Sequence, residues 1–176
     1  MSSYKEIVTK AVIGKGKKYF KNKYSVESDV AASTILGCWI INHKFKGYVQ
    51  GEDVVVDGSF DINLWYSYDN DTKTNVINKT IKYNELINVK TKLDVDFNDS
   101  EIIVRVLKQP TCSNVQINGN TIDFDIEKEL GIEVVGDTKV KIMVEDDEDQ
   151  WEVFDDTVTQ ETEEEIDNEV TEDFLE

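Results

Sequence analysis

Fifteen consecutive positions limit what this chain can fold into more than any other feature. Between Val54 and Tyr68, the residues Val54, Val56, Gly58, Phe60, Ile62, Leu64, Tyr66 and Tyr68 fall on one side of a two-residue repeat, and Asp57, Ser59, Asp61, Asn63 and Ser67 fall on the other. Successive side chains of a strand point to opposite faces, whereas a helix face returns about every 3.6 residues, so the segment is a strand with one wet side. Its apolar side has to be covered by a second layer. The cluster Asp69, Asn70, Asp71 then turns the chain, and "TNVINKTIKY" resumes β-type residues, which makes a hairpin.

Other segments read the same way. Asn118-Gly119 lies between Val115, Ile117 and the alternating Ile122, Phe124, Ile126, and Asn-Gly favours the left-handed backbone of a tight hairpin. Gly136-Asp137 between "IEVV" and "TKVKIMV" predicts another hairpin. "ILGCWIINHKF", residues 35–45, is apolar on both faces at first and reads as a central strand, and "EIIVRVL", residues 101–107, is a further strand. "EIVTKAVI" within Tyr4–Phe20 suits a strand, while the lysines after it suit a strand edge or an arm. Several strands joined by turns, without interleaved helices, predict an all-β protein, an antiparallel β-sandwich spanning residues 1–144 as one body.

Charge is distributed unevenly. The formal net charge is -18, but residues 145–176 hold 17 of the 37 acids and none of the 19 Lys and Arg, which leaves 20 acids against 19 bases in the body. Residues 1–24 form a basic segment, with Lys5, Lys10, Lys15, Lys17, Lys18, Lys21 and Lys23 against Glu6 alone. A chain that is positive at its front and negative at its end attracts copies of itself, so Lys15, Lys17, Lys18, Lys21 and Lys23 are candidates for self-assembly. Nucleic acid is not expected as a partner, because the acidic end repels phosphate. Residues 145–176 read as a flexible acidic C-terminal tail, largely disordered, that serves interaction. Its apolar anchors are the client-binding candidates: Trp151 and Phe154, then Ile166, Val170 and Phe174 at four-residue spacing, with Leu175 beside them. No run approaches the roughly 20 apolar residues of a membrane span, so membrane insertion is not expected and the chain is placed initially in the cytosol.

The residues that carry chemistry are few. His43 is the single histidine, and by parity it shares a strand face with Trp39 and Ile41; it reads as a structural residue held by a hydrogen bond. Cys38 lies five positions earlier, on the opposite face by the same parity, which makes a Cys-His pair poor. Cys38 and Cys112 are far apart and lack metal-ligand spacing, so neither a disulfide framework nor a zinc site is indicated and they read as plain buried or half-buried thiols. Asp57 and Asp61 share a face but stand about 13 Å apart along a strand, too far for paired carboxylates of a glycosidase. "DNDT" at 69–72 lacks the glycine and later glutamate of an EF-hand, and "GKGKK" at 14–18 lacks phosphate-loop spacing. No catalytic set, cofactor or metal is expected. Trp65 stands out on the polar face beside Asp61 and Asn63, where a large ring needs a cover from its own chain or from a partner; it joins the self-assembly candidates.

Five strings occur in order: "YKEIVTKAVIGKGKKYF", "ILGCWIINHKF", "GSFDINLWYSYDNDTKT", "VLKQPTC" and "EVVGDTKV". With the acidic end closing in "EDFLE", the chain resembles the outer spore coat morphogenetic protein E family of endospore-forming bacteria over nearly its whole length. The resemblance implies an assembly protein without enzymatic activity. It implies production in the mother-cell cytoplasm, oligomerisation around the forespore and recruitment of other spore coat proteins. Tyr4–Phe20 matches the part associated with self-assembly, and the tail from Glu145 the part that recruits. "VDGSFDINLWYS" is also similar to a strand of a repeated β-domain in other coat-assembly proteins. The alternative is a glycan-binding β-sandwich that uses the aromatics around Trp65.

Overall fold

The period-two runs become long strands in the computed structural model of the protein, which describes residues 3–91 and 97–144. In chain order they are β1 (Ser3–Glu27), β2 (Ala32–Gln50), β3 (Asp53–Tyr68), β4 (Lys73–Asn88), β5 (Lys90–Thr91), β6 (Glu101–Asn118) and β7 (Thr121–Val144). No helix occurs among the described residues. The strands make two antiparallel sheets, one of order β5-β1-β7-β6 and one of order β2-β3-β4, and the sandwich architecture is as expected. The two-sheet body is the compact unit Glu6–Val140.

Packing follows from which strands sit inside their sheets. β3 is flanked by β2 and β4, and β7 by β1 and β6. Their even-numbered residues meet in the middle: Val54, Phe60, Ile62, Leu64 and Tyr66 from β3, and Phe124, Ile126, Leu130, Ile132 and Val134 from β7, all buried. Gly58 interrupts the apolar face of β3 for a steric reason. It pairs with Tyr83 on β4, and the Tyr83 ring occupies the place where a Cβ on residue 58 would stand.

The turns show what local chemistry can decide. Asp69, Asn70 and Asp71 all adopt positive φ (54°, 54° and 62°), and Asp69 C=O accepts from Thr72 N at 3.2 Å and Thr72 Oγ1 at 2.6 Å. Short polar side chains tolerate this left-handed backbone better than bulky ones. The β6–β7 hairpin turns one residue later than Asn118-Gly119 suggested. Asn118 pairs with Thr121, so Gly119 and Asn120 form the loop, with Gly119 at φ +64°.

Three expectations are corrected. The second hairpin, at Gly136-Asp137, does not form, because β7 runs unbroken from Thr121 to Val144. Gly136 is instead a point of close packing, since a Cβ there would come within 2.7 Å of Ile13 Cδ1. β2 is an edge strand rather than a central one, and Leu36, Trp39, Ile41 and Phe45 are exposed along it. Parity fails at residues 42–43: the pairing with β3 slips between Ile41 and Lys44, where Asn42 takes φ +54°. That bulge turns His43 inward while Trp39 and Ile41 point out, so the three do not share a face. The segment Tyr4–Phe20 is strand throughout.

The core predicts a graded response. Phe60→Ala should lower unfolding free energy by about 3–5 kcal/mol, and Gly58→Ala by roughly 1–3 kcal/mol through displacement of Tyr83. Urea titration should show a lower midpoint with an unchanged slope in both. A Gly58→Ala protein as stable as wild type would contradict the contact with Tyr83.

Candidate interaction surfaces and the buried polar cluster

The lysines of β1 do not stand alone. Lys15, Lys17, Lys21 and Lys23 are exposed at odd positions, and acids at odd positions of the neighbouring strand β7 lie beside them. Lys17 reaches Glu129 at 4.0 Å, and Lys21 reaches Glu127 at 3.4 Å and Asp125 at 4.0 Å. From the other side, β6 contributes Lys108 to Glu127 at 3.1 Å and Arg105 to Glu133 at 3.0 Å. Hydrogen bonds from Lys108 and then Tyr19 hold the Glu127 carboxyl below its ordinary pKa, and Arg105 does the same for Glu133. The outer face of this sheet is thus a ladder of alternating charge, with the basic strand substantially neutralised by its own fold.

Beside this ladder cations outnumber acids. A groove of about 690 Å³ is lined by Lys15, Lys17, Lys18, Lys90 and Arg105, with Glu133 as its acid. Lys18 is the exception to the ladder, since its even position turns it the other way, where Nζ donates to Leu86 C=O at 3.4 Å and lies 5.2 Å from the Phe20 ring.

Trp65 lies on the outer face of the three-stranded sheet and is 43% exposed. Its partner in register on β2 is Gly37 and on β4 is Val76. The Trp39 indole lies over Gly37, in the space a Cβ would fill, so both rings border the same glycine. Trp39 is itself 52% exposed, and Leu36 and Ile41 extend the apolar surface along β2. Trp39 was legible as an outward residue once Ile40 was taken as inward, but the apolar run of β2 concealed that alternation.

Inside the sandwich sits a polar cluster that the sequence reading missed. Lys128 occupies an even position of β7, between Ile126 and Leu130, and is fully buried. Its ammonium donates to Glu85 on β4 at 3.0 Å and lies 4.3 Å from the Tyr83 ring centroid and 4.8 Å from that of Phe20. Asn22 of β1 donates to the same Glu85 oxygen at 2.8 Å. Tyr83 joins His43 Nε2 through its hydroxyl at 2.7 Å. Burial, then the Glu85 charge, raises the Tyr83 pKa, so its hydroxyl keeps its proton. Burial, then the Lys128 charge, lowers that of His43 and favours the neutral imidazole. The clue was one lysine at an inward position of an alternating strand.

No acid–base machine emerges from these groups. Asp61 accepts from Thr80 at 2.6 Å and Asn42 at 2.8 Å, which lowers its pKa, the reverse of what a general acid needs. Asp57 accepts from Asn84 across the β3–β4 pair. The bulge removes the parity argument against Cys38 and His43, but five residues of strand still separate them by about 16 Å. The client-binding candidates Trp151, Phe154, Ile166, Val170, Phe174 and Leu175 lie outside the described residues.

Inside the two sheets Lys128 and Asn22 are satisfied by Glu85, and Tyr83 by His43 Nε2, while the outer faces carry apolar and charged surfaces of the kind that meet other proteins. The chain belongs to the outer spore coat protein E (CotE) family, whose sequence model matches residues 3–176. It is therefore a member of an outer spore coat protein family, with a coat-related role. No curated protein and no solved structure matches it. No helix among the described residues is long and apolar enough to cross a membrane.

Two measurements test the cluster. Because the folded His43 pKa is lowered, the unfolded chain takes up a proton first as pH falls. Stability should therefore decline below about pH 6.5 and level off once the folded imidazole protonates too. His43→Gln, which removes the single histidine, should flatten that part of the curve. Separately, Glu85→Ala should lose about 3 kcal/mol by leaving a buried ammonium without its carboxylate, and Lys128→Met with Glu85→Leu should lose less than that single change.

Proposed function

We propose that this protein is a scaffold of the outer spore coat that self-assembles and recruits other coat proteins onto the developing spore. The observation that carries the reading is the pair of half-exposed indoles, Trp39 and Trp65, on the outer face of the three-stranded sheet. Large aromatic side chains in such a position are anchors of protein contacts. The first half of β1 supports it as well: Ser3–Lys10 is strand and presents Tyr4 and Val8 to solvent, with Val8 at 70% exposure, and a second copy would cover them. The cation-lined groove by Lys15, Lys17, Lys18 and Arg105 suits an acidic segment, and Lys21 and Lys23 continue the basic strand. Residues 145–176, with 17 acids and the anchors named above, are the part assigned to clients. Synthesis in the mother-cell cytoplasm precedes placement in the coat on this reading.

Exposed indoles also serve glycan binding, which is the second reading. Titration of tryptophan fluorescence with spore or wall glycan fragments separates the two, since a scaffold gives no saturable response.

Light scattering should find an oligomer at micromolar concentration and low salt. Trp39→Ser with Trp65→Ser should shift it towards monomer without moving the unfolding midpoint. A strictly monomeric wild-type chain would falsify self-assembly. Deleting residues 145–176 should leave the oligomer intact and abolish capture of coat proteins, whereas loss of folding would assign those residues to the core.

A further inference from the structure

The two sheets meet along their edge strands β2 and β6, and the contacts of Gly47 and His43 put the two strands in antiparallel order. At one end a Cβ on Gly47 would lie 2.7 Å from Ile102 Cγ2 and Val104 Cγ2. Midway, His43 lies beside Gln109. Cys38 stands nine residues before Gly47, and Cys112 stands ten after Ile102 and eight after Val104, so the same alignment brings the two cysteines face to face. Both are free, half-buried and packed against the edge of the core.

We propose that Cys38 and Cys112 are a thiol pair that closes into an intrachain disulfide across the β2–β6 seam when the protein meets a low-molecular-weight disulfide. The two side chains are already unequal. Interaction with Cys38 lowers the pKa of Cys112, whereas interaction with Cys112, then burial, raises that of Cys38. Cys112 is therefore the sulfur that ionises first and attacks. Its thiolate bonds to one sulfur of the external disulfide, the external S–S bond breaks, and one thiol leaves with a proton from solvent. Cys38 then loses its proton and attacks the Cys112 sulfur of the mixed disulfide, which releases the second thiol. The protein loses two hydrogens, and the external disulfide is reduced to two thiols.

The closed pair would tie together two strands that share no sheet. These strands also carry register slips, three in β2 and three in β6, and Asn42 in β2 and Asn114 in β6 take positive φ at one slip each. A covalent link there restricts the unfolded chain over a long loop and holds the sheets in one alignment.

The test uses the full chain and oxidised glutathione. The expected product is a monomer-length chain lighter by two hydrogens, with both thiols closed to alkylation and a peptide joining residues 38 and 112 after proteolysis. Its Tm should rise by roughly 10 °C and return on reduction. When the full chain meets limiting oxidised glutathione and is quenched with acid, the trapped mixed disulfide should sit on Cys112 rather than Cys38, which reports the order of attack. Two alkylatable thiols after equilibration with excess oxidised glutathione, one glutathione on each cysteine, or chain-to-chain disulfides would each overturn the pair. A closed disulfide with an unchanged Tm would overturn the claim that it locks the seam.

Discussion

Burial of one face of β3 against one face of β7 is the interaction on which the rest depends. Each strand sits inside its sheet and alternates through its middle, so each presents an apolar strip, broken at Gly58 in β3 and at Lys128 in β7. Removing those strips from water is the main favourable term, at about 25 cal/mol per Å² of apolar surface. The register of every neighbouring strand is then constrained, because a slip of one residue would put Asp57, Asp61 or Asn63 into the core. Gly58 and Tyr83 show how closely that core is fitted, one residue lacking a side chain so that another can fill the space.

A charged side chain interrupts this apolar contact. Lys128 enters from β7 and is received by two aromatic faces and one carboxylate from other strands. Such a group stabilises less than an apolar residue of its size would, but it is unforgiving about alignment, since a shifted sheet would leave an ammonium in hydrocarbon. The register slips seen in the β2–β3 and β6–β7 pairs place their extra residues on the edge strands. Asn42 in β2 and Asn114 in β6 each take left-handed backbone at a slip, and each donates to an aspartate of the adjacent inner strand, Asp61 at 2.8 Å and Asp125 at 2.9 Å. Bends at those points let two edges meet along a seam while β3 and β7 stay regular.

The outer faces divide the work differently. On the four-stranded sheet, lysines of β1 and acids of β7 largely cancel, so the basic front of the sequence is less free than its composition implies. On the three-stranded sheet, Trp39 and Trp65 remain uncovered by the described residues. A coat protein of the outer spore coat protein E family acts in a layer of other proteins, and surfaces of this kind suit that setting.

The amino-acid sequence by itself determined the all-β class, the inward face of β3, the Asp69–Asp71 turn and the hairpin near Gly119. All rest on local rules, a two-residue period and the few side chains that accept positive φ. The family was also legible, because several uncommon strings stand in order. Only the tertiary structure decided which strands are edges, that β7 passes straight through Gly136-Asp137, and that His43 faces inward. It alone showed Lys128 meeting Glu85, and Cys38 meeting Cys112. These outcomes depend on what lies across a sheet or a seam, often many residues away in the chain. A periodic pattern can say which way a side chain points but not what it meets there, and one bulge suffices to reverse even the direction.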